Sequence, residues 1–434
     1  MISKFVVCLA LTLCVVPILP AAVIGTNSPS QPVTLERIAT LPAAQRTAWE
    51  KYLEHSARQW QADQDFLRQE MKAHGLKKST NAPYAATFSG IPLNKSDAWY
   101  GGDEGRHIAD VIVSFQTPAG GWSKRLDMTH QARVPGELFT GDNSSHFLTN
   151  ADNDLPHDAG WSYVGTFDND ATTTQLRYLA KVAAALPGEP GAGYRAAFLH
   201  GLDYIFAAQY PNGGWPQVWP LQGGYHDAIT FNDGAMLHAL ALLSDVAGGT
   251  NEFAFVPQKT RDLAAASVKR GLECILATQI VVAGRRTVWC QQHDALTLKP
   301  TSARNYEMPG QSGGESADLV MFLMKLPNPG AEIVASVNAA AEWFKKTSIY
   351  GFAFKFTGLE GRQLIAAPGN GPIWARYYEI GSDRPIFGDR DKTIHDEVRE
   401  ISAERRKGYS WYGDAPKRAL QHYERWRKEH PQAD

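Results

Sequence analysis

Apolar residues recur at three- and four-residue spacing over most of the chain, which predicts helices rather than strands. Short Gly- and Pro-rich breakers divide these helical segments into pairs. The pairs are Ala171–Leu186 with Ala192–Gln209, Gly234–Val246 with Thr260–Gln279, and Gly314–Lys325 with Gly330–Lys346. Helices that alternate with short turns, and few strand signals, predict a mainly all-α fold built of antiparallel helical hairpins.

A weak internal repeat marks the ends of successive helices. Gln116 is followed by Gly120-Gly121-Trp122, Gln209 by Gly213-Gly214-Trp215, and Gln279, at longer spacing, by Gly284 and Trp289. Repeated hairpins with Gly-rich turns predict an α/α toroid, with a small irregular, β-containing segment near the C-terminal third. The loops between hairpins would then lie on one rim, where a site can be assembled from several of them.

The N-terminal region differs from the rest in composition. Residues 1–22 carry Lys4, an apolar run and small residues, which predicts a secretory signal peptide and a secreted or periplasmic protein. Residues 23–40 are rich in Ser, Pro and Thr and predict a linker. Residues 41–434 then form a single toroid domain with its core at about 100–415.

Composition and charge exclude several classes of protein. The formal net charge of −2 over 434 residues leaves no global electrostatic signature for nucleic acid. No later segment is long and apolar enough to cross a membrane, and with no oligomer signal we expect a monomer. Outside the predicted signal peptide, Cys274 and Cys290 form either one disulfide or two buried thiols.

Two clusters of carboxylate and amide groups precede helices. Asp168-Asn169-Asp170 comes before one helix, and Asn232-Asp233 occupies the same place before the next inner helix. Helix capping explains one residue of each cluster. Clustered carboxylate and amide oxygens also suit a hard cation such as calcium. Two clusters on one rim favour a metal site completed by an acidic substrate.

Arginines follow in two further segments. Arg304 stands before a Gly-rich turn that opens a helix, although an Arg304–Glu307 surface pair is the simpler interpretation. Arg376, Arg384 and Arg390 are interleaved with aromatic residues, a pattern typical of recognition of carboxylate-bearing sugars. Ion pairs within a β-rich segment are the alternative there.

These motifs together resemble polysaccharide lyase family 10, the pectate lyases of α-helical toroid fold. The resemblance runs from about Ala109 to Gly413 and rests on six short motifs in order. They are Gly120–Lys124, Asp168–Thr172, Tyr210–Gln217, Thr230–Met236, Ala303–Glu307 and Trp374–Ile380. Ser123, where the family often has Pro, and Asp170, where it often has a small or neutral residue, depart from the pattern.

The resemblance implies roles for individual residues. Arg304 would be the base and Asp168 a second catalytic residue, while Asp233 would bind Ca²⁺. Asp170, an extra carboxylate outside the family pattern, would add a calcium ligand or only cap the helix. The implied substrate is polygalacturonate. Its predicted contacts are Asn169, Lys124, Trp215, Tyr306, Arg376, Arg384 and Arg390.

The reaction implied is β-elimination. Removal of H5, next to the C6 carboxylate, builds up negative charge that calcium would stabilise. An arginine base predicts an alkaline optimum, because the pKa of arginine lies above about 12. Two alternatives remain: a hydrolase that uses a carboxylate pair such as Asp168 with Asp233 or Glu307, and a non-catalytic protein that binds pectin fragments, in which Trp122 and Trp215 bind sugar or simply fill the core.

Overall fold

The computed structural model describes residues 22–85, 90–141 and 164–431. The predicted signal peptide therefore lies almost entirely outside the described residues. The helices are α1 (Leu35–Ile38), α2 (Ala43–Ala73), α3 (Asp97–Gly101), α4 (Asp103–Ser114), α5 (Thr173–Ala185), α6 (Ala192–Ala208), α7 (Ala235–Gly248), α8 (Gln258–Thr278), α9 (Gly313–Leu323), α10 (Ala331–Lys346), α11 (Ala403–Gly408) and α12 (Ala415–Glu429).

The helices pack as hairpins in two rows. Helices α5, α7 and α9 contact one another in succession and form an inner row. Helices α4, α6, α8 and α10 lie outside them, with α5 against α6, α7 against α8, and α9 against α10 and α12. This arrangement confirms the predicted mainly helical α/α toroid. None of the helices within the described ranges is long and apolar enough to cross a membrane.

The weak sequence repeat corresponds to a repeated set of hydrogen bonds, which we call the Gln–Trp repeat. After each outer helix a glutamine donates Nε2 both to the following turn and to the next outer helix: Gln116 to Gly120 O and Ala197 O, Gln209 to Gly213 O and Ser267 O, Gln279 to Thr287 O and Ser336 O. The repeat therefore links neighbouring outer helices through backbone carbonyls.

The tryptophans of the repeat anchor each turn to the helix before it. The indole N–H groups of Trp122, Trp215 and Trp289 donate to Ile112 O, Ile205 O and Ile275 O over 2.7, 2.9 and 2.7 Å. All three side chains are completely buried. This corrects the prediction that Trp215 contacts substrate, because a buried indole presents no face to a sugar.

Short antiparallel strands connect the rim loops. They are β1 (Val23–Thr26), β2 (Ile229–Thr230), β3 (Val281–Val282), β4 (Arg285–Arg286), β5 (Gln292–His293), β6 (Pro300–Thr301), β7 (Gln311–Ser312), β8 (Phe352–Phe356), β9 (Arg362–Ala366), β10 (Trp374–Ala375), β11 (Tyr377–Tyr378), β12 (Phe387–Gly388), β13 (Thr393–His395) and β14 (Tyr412–Gly413). The strand orders are β1-β13-β12, β2-β5-β6, β7-β11, β10-β14, β3-β4 and β8-β9. Strands β8 to β14 form the β-containing segment predicted near the C-terminal third.

Residues 23–40 are part of this fold, which corrects the predicted linker. Strand β1 pairs with β13 with the register Val23 to His395 and Thr26 to Thr393. Helix α1 follows, and the Thr34 hydroxyl accepts a hydrogen bond from the Arg37 N–H at its start. Strand β1 itself contains no Ser or Pro, and its partner lies far away in the chain, so the composition around it did not reveal it.

The two cysteines outside the predicted signal peptide are free. Cys274 and Cys290 are both buried and unbridged, so of the two alternatives the thiols are the correct one. Cys290 Sγ accepts a hydrogen bond from the Gly310 N–H at 3.5 Å, which helps to hold the loop before α9.

Candidate active site

Two short 3₁₀ turns precede the inner helices α5 and α7 and lie side by side on the rim. The first is Asp168–Asp170 and the second Asn232–Gly234. Asn169 and Asp233 have φ angles of 53° and 50°, in the left-handed region. Such backbone costs about 1–3 kcal/mol per residue and collects at functional sites. The turns therefore bring the two predicted carboxylate clusters together.

Asp168 is buried and paired. Only 3% of the residue is exposed. Lys124, whose side chain is 15% exposed, donates Nζ to its Oδ2. The other oxygen, Oδ1, is buried and has no hydrogen-bond partner within the described ranges of the chain. An unpaired buried carboxylate oxygen is costly and indicates a position for a donor or cation that arrives with the ligand.

Asp233 belongs to the same electrostatic site. Burial, and then the nearby Asp168 carboxylate, raise the pKa of Asp233 to about 6, whereas the guanidiniums of Arg376 and Arg304 act in the opposite direction. The Asn232 amide donates to Asp233 Oδ2 at 2.8 Å. Two neighbouring carboxylates and two guanidiniums therefore share one partly enclosed space.

Arg376 reaches this space from the link between β10 and β11. Its Nη2 donates to Asn232 Oδ1 at 3.0 Å and to Glu315 Oε1 at 3.1 Å. Its guanidinium lies 4.4 Å from the centre of the Tyr409 ring. Burial alone would lower the pKa of Arg376, but Tyr409 and Glu315 outweigh it and raise the pKa. Arg376 is thus a fixed cation beside the carboxylate pair.

Arg304 is held by Glu307. Its backbone N, Nε and Nη2 donate to the Glu307 carboxylate at 3.0, 2.8 and 2.5 Å. Burial would lower the pKa of Arg304, but the Glu307 carboxylate outweighs it and raises the pKa above its usual value. Glu307 in turn has a pKa of about 2, because Arg304 and Tyr409 outweigh the effect of burial. The pair engages Nε and Nη2 and leaves Nη1 outside it.

The sequence analysis named Glu307 as a partner of Arg304 but missed that it is buried. The sequence suggested a surface pair, yet the Glu307 side chain is only 2% exposed and that of Arg304 is 31% exposed. The Tyr409 hydroxyl donates to Glu307 Oε1 at 2.7 Å. Glu315, Asn232 and Tyr409 also build the site. The spacing of three residues from Arg304 to Glu307 was the only local signal for this arrangement.

The remaining predicted contacts divide into two groups. Tyr306 is buried, and the guanidiniums of Arg304 and Arg390 lie 5.1 and 5.2 Å from the centre of its ring. Arg384 instead pairs with Glu379 at 3.2 Å and Asp396 at 3.0 Å, with 43% of its side chain exposed.

Asp170 is engaged by a histidine. Its Oδ1 lies 2.5 Å from His238 Nδ1. The hydrogen bond and charge of His238 lower the pKa of Asp170 in spite of partial burial. Its neighbour Asn169 is half-buried and lies between the two aspartates. Asp170 is therefore a weaker candidate for a cation than Asp233.

The donor atoms fit a hard cation only in part. Among the described residues, no group of three or more His, Cys, Asp or Glu side chains could hold a metal ion. The two available donors are the unpaired Asp168 Oδ1 and the Asp233 carboxylate, and carboxylate oxygen is the ligand type that calcium takes. A cation here would need oxygens from the ligand as well.

Residues 116–420 match the protein family of the pectic acid lyases. No curated protein matches the chain. Among solved structures, the family 10 polysaccharide lyase from Cellvibrio cellulosa has 30% sequence identity and a TM-score of 0.64, and the match covers 77% of this chain and 94% of that one. A mutant of the same lyase, in complex with trigalacturonic acid, has 30% identity and a TM-score of 0.63 and covers 77% and 98%.

The fold, the order of the motifs and these matches agree. The family match extends over the inner helices, both 3₁₀ turns and the segments that carry Arg304 and Arg376. This protein therefore belongs to polysaccharide lyase family 10 and is a pectate lyase.

Proposed function

We propose that this pectate lyase cleaves α-1,4-linked polygalacturonate by calcium-assisted β-elimination and releases 4,5-unsaturated oligogalacturonates. The observation that carries the proposal is the meeting of the Asp168 and Asp233 carboxylates with the guanidiniums of Arg304 and Arg376 in one site. Carboxylates suit a cation and guanidiniums suit uronate carboxylates. A similar lyase has been solved in complex with trigalacturonic acid.

Asp233 is the proposed calcium ligand. Its raised pKa supports this role, because a cation would relieve the repulsion between its negative charge and that of Asp168. Asp168 Oδ1 is the second donor, and Asp170 would contribute only the oxygen that His238 does not engage. A calcium ion bound here would neutralise the C6 carboxylate of the sugar that loses H5.

Arg304 is the proposed base. Glu307 orients the guanidinium through Nε and Nη2, so Nη1 is the nitrogen that remains to accept H5. Arg376 lies against the same Tyr409 ring as Arg304, at 4.4 and 5.9 Å, and its charge favours the neutral form of Arg304. Glu307 favours the charged form. Proton abstraction should consequently need alkaline pH.

The remaining polar groups of the site are proposed to bind the galacturonate chain, the cationic ones through its carboxylates. Arg376 is the first, because it is fixed on both sides by Asn232 and Glu315. Lys124 and Asn169 flank Asp168, and Arg390 lies near Arg304 against the Tyr306 ring. Tyr306 is buried like Trp215 and would support these arginines without touching the sugar. Arg384 would take part only after leaving Glu379 and Asp396.

Ultraviolet absorbance during incubation with polygalacturonate tests the reaction, because a 4,5-unsaturated uronate absorbs where the substrate does not. We expect absorbance to rise with calcium and to stop rising after addition of EDTA. Flat absorbance with new reducing ends would indicate the carboxylate-pair hydrolase instead. No change in either signal would leave only binding of pectin fragments.

Export of the protein is also part of the proposal. The signal-peptide pattern of residues 1–22 supports a secreted or periplasmic enzyme that acts on oligogalacturonates as a monomer. N-terminal sequencing of the enzyme recovered outside the cytoplasm should begin near Val23. A retained N-terminus at Met1 would contradict cleavage there.

A further inference from the structure

The N-terminal segment crosses the active-site rim. We call residues 22–41 the strap. It lies outside the span 116–420 that matches the lyase family, yet it is built into the rim through β1. Ile24 of the strap packs on the apolar cluster that contains Tyr306 and Tyr409.

Asn27 joins the strap to the residue that we propose as the base. Its backbone N–H donates to Lys392 O at 2.7 Å. Its side-chain Nδ2 donates to Arg304 O at 3.1 Å and to Asn305 O at 2.9 Å. Only 3% of Asn27 is exposed. A buried amide donor thus serves two carbonyls of the loop 302–307.

Neighbouring contacts fix the same loop. Ser302 donates its hydroxyl to Ser28 O, and Asn305 Nδ2 donates to Arg390 O at 2.8 Å. The loop therefore lies between the strap and the segment that precedes β13. Farther along, the Val33 N–H donates to Asp227 Oδ2 at 3.1 Å, which ties the strap to a second rim loop.

We propose that Asn27 is a positioning residue for Arg304. This inference rests on the proposed role of Arg304 as base. Glu307 holds the backbone N–H and the side chain of Arg304, and Asn27 holds its backbone carbonyl. Together Glu307 and Asn27 fix the peptide groups on both sides of Arg304. Asn27 does not touch the substrate in this arrangement; it sets where the guanidinium lies.

The expected consequence of loosening this contact is kinetic. A displacement of about 1 Å at a reacting group can cost about 10²-fold in rate. Loss of Asn27 should therefore lower kcat while KM changes little, because Arg376 is held by Asn232 and Glu315 and not by the strap.

The test is Asn27→Ala in the full chain, assayed for kcat and KM on polygalacturonate. Rates are normalised to the fraction of protein that binds trigalacturonate by calorimetry. We expect kcat to fall at least about tenfold with unchanged trigalacturonate affinity. A kcat per binding-competent enzyme within threefold of wild type overturns the inference. If Asn27→Ala does not fold, Asn27→Ser keeps a donor of shorter reach and is judged by the same threshold.

Thr34→Ala is the matched control in the same strap. Its hydroxyl accepts from the Arg37 N–H at 3.3 Å, away from the loop 302–307. It should keep wild-type kcat; a fall equal to that of Asn27→Ala would show that strap stability, and not contact with Arg304, matters.

Arg304→Gln, assayed beside them, separates this inference from the proposed function. Full activity of Arg304→Gln would refute Arg304 as base and the inference with it. An inactive Arg304→Gln together with a normal Asn27→Ala would refute only the positioning role.

Discussion

The side-chain donors of the Gln–Trp repeat are paired, whereas the active site contains buried polar atoms without a partner in the described part of the chain. In the repeat, the side-chain N–H groups of Gln209 and Trp215, like those of their counterparts, donate to backbone carbonyls. In the site, Asp168 Oδ1 and Arg376 Nε are buried without a partner within the described residues. Asp233 also has a left-handed backbone and a shifted pKa.

The difference separates two tasks. Paired donors stabilise the helical hairpins by about 0.5–1.5 kcal/mol per hydrogen bond. Unpaired atoms and left-handed backbone destabilise the free enzyme, and under the proposed function they would meet charges on the substrate and a cation. The comparison predicts that changes in the site reduce turnover, whereas changes in the repeat reduce stability.

The largest effect is expected for Arg304→Gln. The variant removes the proposed base but retains an amide that can donate to Glu307, so kcat should fall about 10²–10⁴-fold. Initial rates of absorbance, with thermal unfolding as a folding check, measure it. Arg286→Gln, which breaks an ion pair between β4 and Glu332 of α10, is the control and should keep full activity. An active Arg304→Gln would contradict the proposal that Arg304 is the base.

The second-largest effect is expected for Asp233→Asn and concerns the calcium requirement of the activity. Losing the carboxylate should raise the half-saturating calcium concentration at least about tenfold, since even changes beyond the direct ligands cost about 10–100-fold. In the wild type, protons should compete with calcium below about pH 6, the pKa of Asp233. Calcium titrations of activity at several pH values test both points.

Asp245→Asn provides the control for that experiment. Asp245 pairs with Arg177 at 2.8 Å and is half exposed, away from the two 3₁₀ turns. Its calcium titration should match that of the wild type. An unchanged calcium requirement in Asp233→Asn would assign the cation to other residues.

A smaller effect, on stability alone, is expected in the repeat. Gln209→Ala leaves Gly213 O and Ser267 O without their buried donor and should lower the free energy of unfolding by about 2–3 kcal/mol. Denaturant unfolding measures this change, and kcat of the folded fraction should stay at the wild-type value. Gln258→Ala, on an exposed helix surface, is the control. A loss of turnover in Gln209→Ala would contradict the prediction that changes in the repeat affect stability alone.

The last effect is on the pH dependence of stability and concerns Asp63, on α2. Burial raises the pKa of Asp63 to about 7, although Gln59 and the Ala119 N–H act against it. The folded state then binds this proton more tightly than the unfolded state, so its contribution to stability is present at low pH and is lost as pH rises through about 7. Asp63→Asn should remove that pH dependence, measured as the unfolding midpoint from pH 4 to 8. If the unfolding midpoint of Asp63→Asn depends on pH as in the wild type, other groups must cause that pH dependence.

The helical frame could be predicted from the sequence because its signals are local. Helix periodicity and the Gly-Gly-Trp turns are read within a few residues of one another, and the hairpins follow from them. The same turns led to the wrong prediction for Trp215, since an aromatic residue beside a glycine turn can either bind a sugar or fill the hydrophobic core. Only packing against Ile205 decides between them.

Nonlocal contacts account for what could not be predicted. Glu307 is buried because Tyr409, far along the chain, packs over it. The strap looked like a linker because its hydrogen-bonding partners, Arg304 and β13, are equally remote. Burial of a charged pair and pairing of an edge strand depend on such contacts, which short sequence patterns do not encode.

The strap has a consequence for the order of folding. Asn27 is separated from Arg304 by 277 positions, so during synthesis it leaves the ribosome long before its partners exist. Contacts between remote residues form slowly because closing a long loop costs conformational entropy. The helical hairpins, built from nearby residues, should form first and the strap should dock last. In refolding experiments, lyase activity should accordingly return after helical circular dichroism has recovered.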